Sequence, residues 1–424
     1  MRHKEGKRDL KVLVTGSDGF VGQNLVRNLK EIRDGKNRTR PNLSITEIYE
    51  YHLRSTQIEL ENACSQADFV FHLAGVNRPK ENREFMDGNY RFASAVLNTL
   101  KAYGNKCPVM LSSSVQASLT GRFKGSEYGK SKLAAEELFF QYSADTGAKV
   151  LVYRFPNLFG KWCKSNYNSA VATFCHSVAN DLDYTVNDPD TEMELLYIDD
   201  LVKEMLDALE GEEHHCKYQG LEVIPKYDGK YCYAPYIHRA TLGEIVDLLK
   251  QFKQMPETLQ IPSIPKNSFA KKLYSTYMSY LPESKMSYAF CSNEDNRGNF
   301  TELFRTYDHG QISINITKPG VSRGQHWHNS KGEIFIVVSG HGLIKERRIG
   351  IDPETNAPYP VISFEVTGKQ MRAVWILPGY THSITNLSKD QELVTVMWAN
   401  EPFDERYLDT FFEPVENEVL WQIS

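Results

Sequence analysis

A chain of 424 residues with a net charge of −5 is too long for one ordinary hydrophobic core, and it carries no global positive field to recruit nucleic acid or an anionic membrane. Its 41% apolar and 24% charged content is that of a soluble globular protein, and no apolar run reaches the roughly eighteen residues of a membrane span. Seven scattered cysteines without a C-x-x-C pair fit free thiols in a reducing cytoplasm rather than a disulfide framework.

Residues 1–10 are basic without a signal-like apolar stretch and read as a flexible lead-in. Residues 11–15 (KVLVT) are a short β-branched run, predicted as a buried parallel strand. Helical spacing follows over 20–29. Further strands are predicted at 45–51, 68–74, 109–112 and 150–154, with helices at 92–103 and 131–142. Strands alternating with helices predict a doubly wound α/β parallel sheet of the Rossmann type. Residues 210–235, polar and rich in Gly, Lys and Tyr, read as a loop insertion. Helical spacing returns at 241–252, opened by a Thr-x-x-Glu capping box at Thr241 and Glu244. Residues 255–266 hold three prolines and read as loop, and 273–281 as a last helix. A boundary falls there, giving domains 11–284 and 285–424. From Gln311 the pattern turns to period two, with strands predicted at 311–317, 334–338, 361–366, 373–376 and 393–398. Many short strands and few helices predict an all-β jelly roll or small barrel.

The turn Gly16-x-x-Gly19-x-x-Gly22 lies between the first strand and the first helix. Glycine permits the tight bend and lets backbone N–H groups approach a pyrophosphate at the helix N-terminus. Gly16, Gly19, Phe20, Val21 and Gly22 are therefore expected to hold a nicotinamide dinucleotide. The second strand ends without an acidic residue for a ribose 2′-hydroxyl. His52 and Arg54 follow it instead, and an arginine there favours a 2′-phosphate, hence NADPH over NADH; the plainer alternative is a solvated loop arginine. Tyr128 and Lys132, four apart, share a helix face. A lysine ammonium favours the phenolate and lowers the tyrosine pKa, so that tyrosine can exchange a proton with a carbonyl oxygen near neutral pH. Ser112-Ser113-Ser114 closes the fourth strand, at the edge where open α/β sheets bind ligands.

With His72-Leu73-Ala74-Gly75, Arg154-Phe-Pro-Asn157-Leu-Phe-Gly160 and Tyr197-Ile-Asp-Asp200, these motifs resemble the extended short-chain dehydrogenase/reductase family. Many of its members act on nucleotide sugars. The resemblance implies Ser114 as the catalytic serine, with Ser113 as fallback, beside Tyr128 and Lys132. It adds Leu73, Ala74, Gly75, Tyr128 and Lys132 to the cofactor site and Arg154 to the substrate site, and makes Asn157 a substrate or backbone contact, a loop-capping role being the alternative for Asn157. Ser114-Val115-Gln116 departs from the Val-Tyr-Gly more usual after that serine.

His326 and His328 alternate along a predicted strand and face one way. Glu333 lies beyond a turn, and His382 comes from a distant strand. Three imidazoles and a carboxylate suit Zn, Fe, Mn or Ni. The spacing Gly320-x5-His326-Trp-His328-x4-Glu333-x6-Gly340, with Pro378-Gly-Tyr-Thr-His382 and Asn386, resembles the cupin family. Gly368 departs from its second motif by lying farther from Pro378 than usual. A barrel that lost its metal is the bland alternative. A metal beside a keto sugar polarises the carbonyl and acidifies the neighbouring C–H groups, so removal and return of a proton gives an epimer. Lys331 and Tyr380 are the candidate bases, and a water held by the metal is a third.

The pairing of the two signatures, with Leu73-Ala-Gly-Val-Asn-Arg-Pro79 and Leu273-Tyr-Ser-Thr-Tyr277, resembles the family of bifunctional capsular polysaccharide synthesis enzymes over nearly the whole chain. That resemblance implies a zinc-dependent cupin domain epimerising UDP-2-acetamido-2,6-dideoxy-β-L-arabino-4-hexulose at C3. It implies an N-terminal domain reducing the C4 ketone with NADPH to UDP-2-acetamido-2,6-dideoxy-L-talose, en route to UDP-N-acetyl-L-fucosamine, in a homodimer. The residues themselves leave C3 and C5 open, since both flank a C4 ketone. Two other readings are a mono-functional reductase whose cupin only binds sugar or dimerises, and a non-catalytic nucleotide sensor.

Overall fold

The computed structural model describes residues 9–308, 310–404 and 406–416. Most of the expected lead-in lies outside them, and Asp9 and Leu10 already belong to the first strand. The chain divides into two compact units. One runs to Leu249 and takes in Pro265–Leu281; the other comprises Lys250–Ile264 and the chain from Pro282.

In the first unit the parallel strands stand in the order Ser44–Tyr51, Asp9–Thr15, Phe69–His72, Val109–Ser114, Val150–Phe155. Val12, Leu13, Val14, Val70, Phe71, Val109, Met110 and Leu111 are all buried, as expected of central strands covered on both faces. Helices Phe20–Arg33 and Ile198–Leu209 pack their apolar stripes on one face, and Gln57–Gln66, Phe92–Ala102 and Glu127–Thr146 on the other. The connections leave the strands Asp9–Thr15 and Phe69–His72 towards opposite faces. Their carboxyl ends are the place where such sheets bind ligands.

Residues 210–235 are not a plain loop. Tyr231–Cys232, His215–Gln219 and Glu222–Pro225 extend the sheet beyond Val150–Phe155. Strands this short carry too little alternation to read, yet Cys216 and Cys232 are fully buried and tie the edge down. The helix begun at Leu242 runs to Thr258 through Pro256, so the expected loop starts later. The helix holding Tyr128 starts at Glu127 because the Ser126 hydroxyl accepts the Gly129 N–H at 2.9 Å.

From Ser292 on, the described residues of the second unit form strands and no helix. An antiparallel sheet runs Ser292–Asp295, Gly298–Arg305, Gln311–Thr317, Leu393–Ala399, Glu333–Ser339, Ala373–Ile376. A second runs Ile362–Thr367, His341–Arg348, Tyr380–Asn386, Ser322–Trp327, Phe411–Phe412. Phe335, Val337, Val374, Ile376 and Leu393 from one sheet pack on Ile344, Val366 and Ile384 from the other, the interdigitated core of two facing sheets. Among the described residues no helix is long and apolar enough to cross a membrane.

Candidate active site and candidate metal centre

The glycine turn forms at the carboxyl end of the first strand. Gly16 adopts φ +69°, and a Cβ there would come within 2.8 Å of the Ala74 backbone; at Gly22 it would meet the Gly16 carbonyl at 2.1 Å. Both glycines are required by the close packing of turn, helix and third strand. Gly19 differs: its Cβ would meet only the Gly16 carbonyl, at 3.2 Å, and no side chain caps the helix it opens. Gly19 is exposed, and the first turn of Phe20–Arg33 has no side-chain cap for its N–H groups, which fits a pyrophosphate. Leu73 and Ala74 are fastened beside this turn, donating N–H groups to the Thr15 carbonyl (3.2 Å) and hydroxyl (3.4 Å). A Cβ on Gly75 would lie 2.7 Å from Asn89 Oδ1 and 3.0 Å from Lys132 Nζ. His52 and the exposed Arg54 follow the neighbouring strand, where the Arg54 N–H donates to His52 Nδ1 at 3.2 Å. Arg54→Asp is expected to shift preference from NADPH towards NADH by about tenfold or more, the scale of one charge-assisted phosphate contact. Michaelis parameters with both cofactors check this, and an unchanged ratio removes Arg54 from the site.

Ser114 and Tyr128 share a hydrogen bond, and burial pushes the Tyr128 phenol up to about 12 despite it. This reverses the expected lowering by Lys132. The lysine is itself buried and drawn down to about 8. Its ammonium donates to the Ser112 carbonyl at 2.8 Å and lies 5.9 Å from the Tyr128 ring centre. Ser113, the fallback serine, points elsewhere, donating to the buried Glu136 carboxylate. Arg154, expected to contact substrate, is engaged by the same carboxylate: its Nε and Nη2 lie 2.9 and 2.6 Å from Glu136 oxygens. Both partners are buried, so this is an internal ion pair that Tyr218 and Tyr231 cover. Asn157 donates its amide to the Glu194 carbonyl at 3.1 Å, a main-chain contact.

Asn89 is absent from the sequence reading. It lies in a π-helical turn, Asp87–Arg91, a form frequent at functional sites. Its amide takes the Val76 N–H and donates to the Ser131 hydroxyl, each at 2.9 Å. It ties the loop after Gly75 to the helix of Tyr128 and Lys132.

In the second unit, donor atoms of His326, His328 and His382 all lie within 4.8 Å of one another. Strand Ser322–Trp327 does not simply alternate. Its register shifts between Gly324 and His326, with Gln325 at φ +65°. A Cβ on Gly324 would meet the His382 carbonyl at 2.6 Å, so glycine is what lets the two ligand-bearing strands approach. Glu333 Oε2 is 3.6 Å from His382 Nε2 and 3.8 Å from His328 Nε2. Lys331 Nζ is 3.9 Å from Glu333 Oε1. Tyr380 lies two residues before His382 on one strand and therefore on its face. Burial holds His326 down to about 4 and His382 well below its ordinary range, which keeps both imidazoles neutral. His328 Nε2 and His382 Nδ1 are buried without a hydrogen-bond partner among the described residues. Neutral, convergent imidazoles with an orphaned nitrogen, beside one carboxylate, fit a divalent transition metal.

The chain is similar to known proteins along its whole length. Residues 12–219 match the NAD dependent epimerase/dehydratase family, and 293–411 the polysaccharide biosynthesis C-terminal domain. A UDP-2-acetamido-2,6-beta-L-arabino-hexul-4-ose reductase of Pseudomonas aeruginosa is 37% identical over 402 residues, covering 95% of this chain and 98% of that one. The crystal structure of capsular polysaccharide assembling protein CapF from Staphylococcus aureus is 41% identical, with a TM-score of 0.82, over 96% of this chain and 100% of its own. The chain belongs to the CapF family. A structure of CapF with the inhibitor 3-isopropenyl-tropolone is 38% identical at a TM-score of 0.77, with the same coverage of 96% and 100%.

One buried acid of this CapF-family chain was also missed by sequence. Glu346 stands directly across from His382 in the strand pairing, is 2% exposed, and has an Oε1 without a partner among the described residues. Burial pushes its carboxyl up to about 7, against the Leu377 N–H that donates to it. A carboxyl raised from 4.5 to about 7 favours the fold below the lower value, and that contribution is lost as pH rises to the upper one. In chelator-treated protein, Glu346→Gln is expected to flatten this loss. It should gain stability over wild type on going from pH 5 to pH 8, by up to about 3 kcal/mol. Denaturant melts at both pH values measure it; parallel pH profiles for the two proteins contradict it.

Proposed function

We propose that this chain carries out two consecutive steps on one UDP-linked 4-keto-6-deoxy-N-acetylhexosamine. The all-β unit, read as a cupin, epimerises UDP-2-acetamido-2,6-dideoxy-β-L-arabino-4-hexulose at C3. The α/β unit then reduces the C4 ketone with NADPH to UDP-2-acetamido-2,6-dideoxy-L-talose, on the way to UDP-N-acetyl-L-fucosamine for surface polysaccharide. The observation that carries the proposal is the presence in one chain of two separate convergent sets: Ser114, Tyr128 and Lys132 in one unit, and His326, His328, His382 and Glu333 in the other. Identity to a hexul-4-ose reductase over nearly the full length of both chains supports the substrate.

In the reductase unit, bound NADPH supplies the hydride. The Gly19 end of the helix Phe20–Arg33 would hold the pyrophosphate and Arg54 the 2′-phosphate. Ser114 and Tyr128 would hydrogen-bond the C4 oxygen together. A phenol held up near 12 carries its proton at neutral pH, so Tyr128 is poised as the acid that protonates this oxygen. The Lys132 ammonium, behind it, stabilises the phenolate left afterwards.

In the cupin unit, bound zinc would supply Lewis acidity at the C4 carbonyl. His326, His328, His382 and Glu333 would hold it. Lys331 and Tyr380 are the groups that would take a proton from C3 and return one to the other face. The shared ketone explains why both activities belong on one chain: it acidifies C3 first and accepts hydride second. We also propose that the chain works as a homodimer.

The test is incubation of the purified protein with the UDP-hexulose and NADPH, with zinc measured on the same sample. Expected are one bound metal per chain and a talo product identified by NMR. A C4-reduced product still carrying the arabino configuration at C3 would leave a simple reductase with a non-catalytic second unit.

A further inference from the structure

We propose that Asp409 is a positioning residue of the three-histidine centre, fixing the orientation of His328 and the shape of the loop leading to Glu333. The inference rests on reading that centre as a metal site. His328 Nδ1 is hydrogen-bonded to the main-chain carbonyl of Asp409. A carbonyl only accepts, so Nδ1 carries the proton and the lone pair is left on Nε2. That nitrogen is the buried one without a partner among the described residues, 3.8 Å from Glu333. The contact thus selects the tautomer in which Nε2 can bind a metal.

The Asp409 carboxylate acts on the next three residues. It accepts the N–H groups of Asn329 at 2.8 Å, Ser330 at 2.9 Å and Lys331 at 3.2 Å, and the Ser330 hydroxyl at 3.3 Å. One side chain therefore holds three of the four residues between His328 and Glu333, the base of the Lys331 side chain among them, while Asn400 takes the Gly332 N–H at 3.0 Å. Asp409 is itself held in place. Phe411–Phe412 pairs with His326 and Trp327, and the Trp327 and Phe411 rings stack at 4.8 Å. Farther on, Glu413 and Val415 donate their N–H groups to the Gln325 carbonyl (3.0 Å) and side-chain oxygen (2.9 Å). Arg347 grips the Val415 carbonyl at 2.8 Å. The segment is fastened to Gln325, whose φ is +65°, and to His326 and Trp327 directly after it. A segment that only closed the barrel would need the strand pairing alone, not a carboxylate aimed at the turn between two ligands.

The experiment uses Co2+ as a spectroscopic probe on the full chain stripped with chelator. Wild type, Asp409→Asn and Asp409→Ala are titrated against a competing chelator, with the visible Co2+ absorption recorded for each. Loss of such an outer partner weakens metal binding by about 10- to 100-fold. Asp409→Ala is expected to fall in this range with an altered absorption band. Asp409→Asn keeps an oxygen acceptor but not its charge, and is expected to lose about tenfold. If Asp409→Ala does not fold, Asp409→Asn decides. Variants with wild-type affinity and an unchanged band overturn the positioning role. Wild type that binds no Co2+ overturns the metal reading itself, a different result from binding that is insensitive to residue 409.

Discussion

Tyr128→Phe is expected to lower NADPH-dependent reduction of the C4 ketone by about 10³-fold, within the range for loss of a positioned general acid, while KM for NADPH stays near wild type. The phenolic proton is the one the reaction consumes, and Ser114 alone offers a hydroxyl that cannot replace it: a serine alkoxide is far too basic to be left behind. The Phe ring keeps the shape of the pocket, including the packing against Phe85 at 5.7 Å between ring centres. The loss should therefore appear in kcat. The same variant should leave deuterium exchange at C3 untouched, because that chemistry is proposed for the other unit. Stopped-flow NADPH oxidation and NMR on one preparation give both numbers. Reduction within tenfold of wild type would remove Tyr128 from the role of acid.

His382→Ala is the mirror experiment. It deletes the imidazole whose ring centre lies 4.5 Å from that of His326 and 5.7 Å from that of His328. It leaves Glu333 with one fewer of its close neighbours. Losing the carbonyl-polarising centre is worth several kcal/mol, or about 10³-fold at 1.36 kcal/mol per decade. C3 exchange should therefore vanish and bound metal drop out, while reduction of a substrate supplied with the L-lyxo configuration at C3, already epimerised, should continue. Retention of metal and exchange together would place the chemistry elsewhere.

What the sequence showed and hid follows from the range of the interactions. The Gly16 turn and the Tyr128–Lys132 spacing are local patterns, and the turn and helix form where those patterns put them; the His326–His328 pair straddles the end of its strand, after a register shift that alternation does not predict. The tyrosine pKa did not follow from spacing, because spacing gives the distance to a charge but not the burial that outweighs it. The family resemblance implies Arg154 as a substrate contact, and only the fold brings Glu136 against it. Asn89 belongs to a π-turn that no periodicity announces. Asp409 reaches His328 across some 80 residues of chain, a contact that only strand pairing creates. The strands at 215–232 are short, and their burial comes from the sheet they join.

The central proposal is that one chain holds two independent chemistries on one ketone. The most direct measurement is incubation of the protein with the UDP-hexulose in deuterated buffer without NADPH, followed by NMR. The account predicts deuterium at C3, present in Tyr128→Phe and absent in His382→Ala. No exchange at any carbon, while added NADPH is still consumed, would contradict it.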